Sequence, residues 1–271
     1  LPLGRFIPFR AARDGMQDRS ARKTATADSF GERAEGYLSS TTHRAGADLE
    51  RLAAWSDGAE LALDVATGAG HTAGALLATG VPTVIASDAS PSMVGTSTES
   101  FPGVVGVVSD AERLPFASDT FDAVTCRIAA HHFPDPEAFV REVSRVLRPG
   151  GTFAFEDNVA PEDGALATFL NRLEGLRDPT HVESYRTSTW LRWMEAAGFS
   201  IEETDHAIKQ IPYRTWIDRI PTLGAADRRA VHRHLVSAPE EVLDFFDVRF
   251  EDGEVQSFAS LKALIRARLP E

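Results

Sequence analysis

A chain of 271 residues with 43% hydrophobic and 25% charged side chains has the make-up of an ordinary globular protein, long enough for one domain carrying a substantial insertion. Its formal net charge of −12 argues against nucleic acid or an anionic membrane as partner, since both repel an acidic protein. The single cysteine, Cys126, excludes an internal disulfide and any multi-cysteine metal or iron–sulfur centre. No apolar run has the length of a membrane span and no secretory segment is visible, so a cytoplasmic monomer or homodimer is expected.

Residues 1–15 carry neither a helical nor a strand period, and 1–24 are expected to be disordered or foreign to the native chain. Between 25 and 54 the spacing of Phe30, Ala34, Tyr37 and Leu38, then Leu49, Leu52 and Ala53, predicts two amphipathic helices broken near 39–42. Short apolar runs predict strands at 61–66, 83–88, 104–109, 121–126 and 151–157, as in a parallel sheet buried on both faces. Helices alternate with them, most clearly over 136–151, where Phe139, Val143, Val146 and Leu147 share a face and Pro149, Gly150 and Gly151 form the stop. Two helical patterns follow within 159–198, joined by the polar stretch 177–186. A sixth strand is expected at 199–207, a largely helical segment at 212–237, and a closing strand pair about the turn Glu251-Asp252-Gly253.

The densest signal is LALDVATGAGHTAGALL at 61–77 followed by TVIASDAS at 83–90. A strand ends in an acid, turns through small residues and opens a helix, so that Gly68 and Gly70 admit a ligand close to the backbone and the helix N-terminus faces it. Asp88 ends the second strand, where a carboxylate can take both hydroxyls of a ribose. Gly68-x-Gly70-x-x-Ala73 also satisfies a dinucleotide fingerprint, which keeps a nicotinamide enzyme in view.

Further motifs decide between these. D-x-A-x-G-x-G at Asp64 to Gly70, D-x-S-x-x-M at Asp88 to Met93, D-A-E-x-L-P-F at Asp110 to Phe116, Phe121-Asp122 and L-R-P-G-G at Leu147 to Gly151 occur in order. Together they resemble the class I S-adenosylmethionine (SAM) methyltransferases of the UbiE type. R-x-A-A-H-H-F at Arg127 to Phe133, A-P-E-D at Ala160 to Asp163 and L-R-D-P-T-H-V at Leu176 to Val182 are similar to a narrower bacterial branch. The family more often has glycine where this chain has Ala66, and a small adjustment of the loop is expected there.

The resemblance implies an α/β fold: a Rossmann-like, seven-stranded, mostly parallel sheet flanked by helices. It implies lid helices at 25–54, a SAM-binding core at 55–158, a helical cap at 159–198, and remaining strands at 199–271 with a second cap segment near 212–240. Asp64 would hold the ammonium of SAM, directly or through water, and the backbone of Ala66, Thr67, Gly68 and Gly70 would surround its methionine portion. Asp88 with Ala89 would take the ribose, Met93 would pack on adenine, and Asp110 with the Ala111 N–H would pair with the adenine edge. Arg127 would lie near the cofactor carboxylate and methyl group. Tyr37 and His43 would face the ligand from the lid, unless Tyr37 is a core residue and His43 a solvated one. Asp64 and Met93 have structural alternatives too, as a loop cap and a helix core residue, and Cys126 reads as an inert buried thiol.

H-H-F-P-D at 131–135 is similar to H-D-W-[SP]-D of small-molecule O-methyltransferases, which gives His131 the role of general base and leaves His132 to cap the loop. Asp157 and Asn158 resemble the ligand pair of magnesium-dependent catechol-type enzymes. The fourth strand supplies Cys126-Arg127 instead of a third carboxylate, so no metal is expected and Asp157 is free to orient a histidine or the substrate. Asp178, His181 and Tyr185 either reach the site from the cap or remain solvated. The implied reaction is methyl transfer to oxygen, nitrogen, sulfur or carbon of a small molecule, leaving S-adenosylhomocysteine (SAH). Quinone C-methylation and SAM binding without turnover stand as alternatives.

Overall fold

The structure, a computed structural model, describes residues 9–32 and 46–271, with side chains from residue 18 onward. Tyr37, His43 and the expected helix break at 39–42 lie outside the described residues.

Strands β1 (Leu61–Val65), β2 (Thr83–Asp88), β3 (Val104–Val108), β4 (Phe121–Arg127) and β5 (Leu147–Asn158) pair in parallel. The sheet continues through β8 (Glu254–Arg268), antiparallel to β5, to β6 (Ser200–Pro212) at the far edge, giving the order β3-β2-β1-β4-β5-β8-β6. A three-residue strand, β7 (Arg249–Glu251), folds back on β8 through the expected turn and makes eight strands instead of seven. The polar sequence of β6 follows from its place: its residues alternate between half-buried and exposed, as an edge strand with one solvated face requires. Running outward from β1 to β3 and returning beside β1 at β4, the chain creates a switch point, and the crevice beyond the strand C-termini is where α/β folds bind ligands.

Helices α1 (Phe9–Gly31), α2 (Ala47–Ala54), α3 (His71–Ala78), α4 (Pro91–Ser100) and α5 (Pro136–Val146) accompany this sheet. Two sequence expectations change here. Residues 9–24, expected to be disordered, belong to α1; the helix lacks an apolar stripe, and ion pairs from Lys23 to Asp110 (2.7 Å) and Arg19 to Asp135 (2.6 Å) tie it to the segments that follow β3 and β4. α5 ends at Val146, short of the predicted 151, because Leu147 pairs with Phe121 across the sheet and is fully buried there.

Two apolar cores are the largest among the described residues. Phe121, Phe139, Phe153 and Phe155 fill the sheet core together with Trp190 and Met194 of α7 (Thr187–Ala196). That helix, expected in the cap, packs with the sheet core. A second core forms between α6 (Gly164–Arg177), α8 (Tyr213–Asp218), α9 (Ala225–Val236) and α10 (Glu240–Phe245), centred on Phe169, Trp216, Leu235, Phe246 and Phe258. Among the described residues no helix is long and apolar enough to cross a membrane.

Candidate active site

A cavity of about 600 Å³ opens over the C-terminal ends of β1, β2 and β4, within the size range of small-molecule sites. Its walls carry Ala66, Thr67, Gly68, Asp88, Ala89, Met93, Asp110, Ala111, Arg127 and His132 of the expected site residues. Asp64, Gly70, His131 and Asp157 stand behind these walls.

The backbone shapes the cofactor end. Ala66 adopts φ 53 and Gly68 φ 54, and a Cβ built on Gly68 would meet no protein atom within 4 Å, so that glycine borders open space. Gly70 serves a different purpose: at φ 89 its missing Cβ would lie 2.4 Å from Ser97 Oγ, so α3 and α4 approach through it. Asp64 is buried and accepts from Thr67 Oγ1 (2.5 Å) and Thr125 Oγ1 (2.7 Å); burial pushes its carboxyl up to about 6 against those two hydrogen bonds. It braces the loop between β1 and α3. Asp88 accepts from Gly68 N (3.0 Å) and Ser90 N (2.9 Å), which fixes its carboxylate at the wall, with burial raising its pKa. Met93 is buried in the first turn of α4, whose N-cap is Ser90. Asp110 accepts from Glu112 N (3.0 Å) and from Lys23 Nζ.

Helix α1 forms a further wall with Ser20, Lys23, Thr24, Ala27 and Phe30. Lys23 lies between Asp110 and Glu112 (2.5 Å); burial opposes its charge, but the two carboxylates outweigh that and raise its pKa. The helical period of 25–54 reached the Phe30 end of this wall, whereas Ser20, Lys23 and Thr24 are polar and fall in the segment expected to lack structure.

The other end of the cavity is built from side chains of distant segments. β4 ends in Arg127, and Ile128 follows at φ 53, a strained conformation for a β-branched residue. The 3₁₀ turn Ala130–His132 then places two imidazoles side by side, ring centroids 4.2 Å apart. His131 donates from its backbone N to Asp157 Oδ2 (2.8 Å) and from Nδ1 to Asp157 Oδ1 (2.6 Å). Burial disfavours its charge, yet the Asp157 carboxylate prevails and raises its pKa. His132 donates from Nδ1 to the Thr180 carbonyl (3.0 Å), and its ring meets Phe30 edge-on at 4.8 Å. Burial, reinforced by the charge of His131, holds it well below the usual histidine range.

The stretch 177–186 of the cap divides among several tasks. Val182 N and Glu183 N donate to the His131 carbonyl (3.0 and 3.1 Å), and His181 lies 5.9 Å from the His131 ring with Nε2 bonded to Asn171 Oδ1 (2.9 Å). Burial lowers the His181 pKa to about 4. Asp178 is buried and receives Thr180 N and Oγ1, bracing the turn. Tyr185 packs on Trp190 and Trp193, away from the cavity. Cys126 is fully buried, with its thiol pKa pushed well up by burial.

A ligand made of adenine and ribose with an amino-acid end fits these residues: Asp88 and Asp110 stand in the cavity wall and Gly68 borders open space, while Asp64, expected at the ammonium, is buried behind the wall. The methyltransferase domain family model matches residues 63–155. The uncharacterized methyltransferase YcgJ of Bacillus subtilis is 37% identical over 245 residues, covering 87% of this chain and 95% of that protein. Its crystal structure superposes with TM-score 0.78 at 34% identity, over 83% of this chain and 98% of the other. A solved structure from Bacillus halodurans C-125 gives TM-score 0.80 at 37% identity, over 83% and 100%. Similarity to the quinone-biosynthesis C-methyltransferase UbiE of Desulfotalea psychrophila, at 36% identity, spans 42% of this chain and 47% of that one. Motifs, sheet order, cavity and relatives converge, and the chain belongs to the class I SAM-dependent methyltransferases, an enzyme with SAM as its cofactor.

Proposed function

We propose that the enzyme methylates a small hydroxyl-bearing acceptor that enters at the His132 end of the cavity, beside Phe30 and Phe133. The observation that carries this reading is the continuity of one cavity from Asp88 and Asp110 to His132. Asp88 binds the ribose hydroxyls, Asp110 and Ala111 the adenine edge, Met93 the adenine face, and the loop from Ala66 to Gly68 the methionine portion. The bound cofactor supplies a methyl group on a sulfonium, already an excellent leaving group, for in-line displacement. The protein's own part is alignment and the handling of one proton.

His132 takes over the acceptor-facing role that the sequence assigned to His131. Its Nδ1–H is committed to the Thr180 carbonyl, so Nε2 carries the lone pair, and its depressed pKa keeps the ring neutral. Such a ring orients an acceptor hydroxyl and receives its proton most readily when that hydroxyl is itself acidic, as in a phenol or enol. His131 and Asp157 form a hydrogen-bonded pair behind it. Likeness to UbiE spans less than half of either chain and does not carry quinone specificity with it.

The test has two arms. SAH should bind the native protein in calorimetry and bind Asp88→Ala at least about tenfold more weakly, as loss of a charge-assisted hydrogen bond worth about 1.5–3 kcal/mol requires. With methyl-labelled SAM and a panel of phenols, enols, amines and thiols, label should pass to a phenol or enol, and His132→Ala should transfer it about a hundredfold more slowly with SAH affinity unchanged. Undiminished transfer by His132→Ala would remove that residue from the reaction.

A further inference from the structure

The motif from Leu176 to Val182 leads from the cap to the cavity. Helix α6 ends at Arg177, whose guanidinium lies over Trp216, and Asp178-Pro179-Thr180-His181 turns the chain back, His181 N donating to the Asp178 carbonyl (3.0 Å). Aspartate first and proline second are what such a turn favours. Asp178 Oδ1 accepts from Thr180 N (2.9 Å) and from Thr180 Oγ1 (2.6 Å). The same hydroxyl stands 3.2 Å from His132 Nδ1, beside the Thr180 carbonyl at 3.0 Å. Two hydrogen bonds thus join a carboxylate of the cap to the ring in the cavity wall.

The protons on this path are set by its far end. A threonine hydroxyl has one proton and an ionised carboxylate has none, so the proton goes to Asp178 and the hydroxyl oxygen meets Nδ1 as an acceptor. With the Thr180 carbonyl an acceptor as well, Nδ1 must carry hydrogen and Nε2 the lone pair. The turn alone does not call for a charge. Asparagine would also receive Thr180 N, whereas Asp178 is 3% exposed and its ionised form is costly to bury. Turn stability is therefore a poor account of this carboxylate, and His132 a better one. Burial and the neighbouring His131 disfavour a positive charge on His132, and Asp178 acts in the opposite sense.

We propose that Asp178 is a positioning residue which, acting through Thr180, keeps the Nε2 lone pair of His132 available to the acceptor and stabilises the imidazolium formed there. The proposal rests on His132 as the acceptor-facing residue. In the step it serves, the acceptor oxygen bonds the methyl carbon as the carbon–sulfur bond breaks, the bond pair stays on the sulfur of SAH, and the hydroxyl proton passes to Nε2. The cap thereby supplies the group that orients the base, as the third member of a catalytic triad does.

Proton–nitrogen NMR of the imidazoles in the SAH-bound protein tests this, with the His132 signals assigned by their absence from His132→Ala. The native ring should show one tautomer, hydrogen on Nδ1. In Asp178→Asn the neutral amide holds the Thr180 proton less firmly, the hydroxyl turns to donate to Nδ1, and a second tautomer with hydrogen on Nε2 should appear. Asp178→Asn/Thr180→Val has no hydroxyl to turn and should return to the single native tautomer, which a merely structural role would not produce. Transfer from methyl-labelled SAM to a phenol should be at least about tenfold slower in Asp178→Asn and in Thr180→Val, native in Thr180→Ser, and SAH affinity within twofold throughout. An unchanged tautomer in Asp178→Asn, a Thr180→Ser protein as slow as Thr180→Val, or SAH affinity that falls along with transfer would each overturn the proposal. If Asp178→Asn shows no cooperative melt, the contrast between Thr180→Val and Thr180→Ser decides. Absence of transfer to any phenol or enol by the native protein would overturn the proposed reaction, while the tautomers would still decide whether Asp178 sets His132.

Discussion

The loops after β1 and β2 offer the cavity mostly backbone and short side chains drawn from one continuous stretch, 65–93, whereas the opposite end assembles Phe30, Arg127 and His132 from segments about a hundred residues apart. The first arrangement suits a ligand that never changes: glycine at Gly68, a carboxylate fixed by two backbone N–H groups at Asp88, a buried methionine. In the second, the orientation of His132 depends on Thr180, and that of His131 on Asp157 and on Val182 and Glu183. Cofactor recognition is thus local and rigid. On the proposed reading the acceptor end depends on the cap only from behind, through Thr180 against His132, and the core of the cap is separate from that of the sheet.

The strongest challenge to this division removes the centre of the cap. Trp216 is buried, meets Phe258 edge-on at 4.9 Å and carries the Arg177 guanidinium at 4.5 Å from its ring centroid. Trp216→Ala should cost about 3–5 kcal/mol of stability and abolish methyl transfer, with SAH affinity within twofold of native. A tenfold loss of SAH affinity in calorimetry would mean that the two regions are coupled.

Two neighbouring glycines sharpen the comparison within the cofactor half. Gly70→Ala should lower stability by about 2–4 kcal/mol, because the added methyl must enter Ser97 and the φ of 89 strains an L-residue. Gly68→Ala meets no protein atom and should cost only about 1 kcal/mol for its φ of 54, yet weaken SAH at least about tenfold by filling the ligand's space. Thermal melts with SAH titrations separate the two, and a Gly68→Ala protein with native SAH affinity would put the ligand elsewhere.

The smallest effect concerns Asp64. Its proton leaves at about 6 in the folded chain and at 3.8 in an unstructured one, so between those values the folded state binds more protons than the unfolded state, and stability falls as pH rises through that window. Above it the penalty persists, with a ceiling of roughly 3 kcal/mol set by the difference between about 6 and 3.8. Asp64→Asn should therefore melt a few degrees higher than native at pH 7.5, and the gap should close below about pH 4. A gap independent of pH would show that Asp64 is not carrying a buried charge.

The positions of the parallel strands, the glycine-containing loop after the first of them and the cofactor class were legible in the sequence because their signals are contiguous. A buried parallel strand must be apolar throughout, and a loop that hugs a ligand must use small residues, so 61–66 and 83–88 mark themselves. Three things were decided only by tertiary structure. The first half of helix α1 has no apolar stripe for periodicity to find, and Lys23 gains its role from Asp110, far along the chain. Which histidine faces the cavity depends on the 3₁₀ turn at Ala130–His132, since adjacent residues there point in different directions, and Asp157 draws His131 behind the wall. The ion pair of Lys262 with Asp48 joins residues 214 apart in sequence, a contact created where helix α2 packs on the sheet and that no local pattern encodes. Local sequence specifies conformations and the ligand that contiguous backbone can hold; the pairing of distant charges and rings follows from how the strands and helices pack.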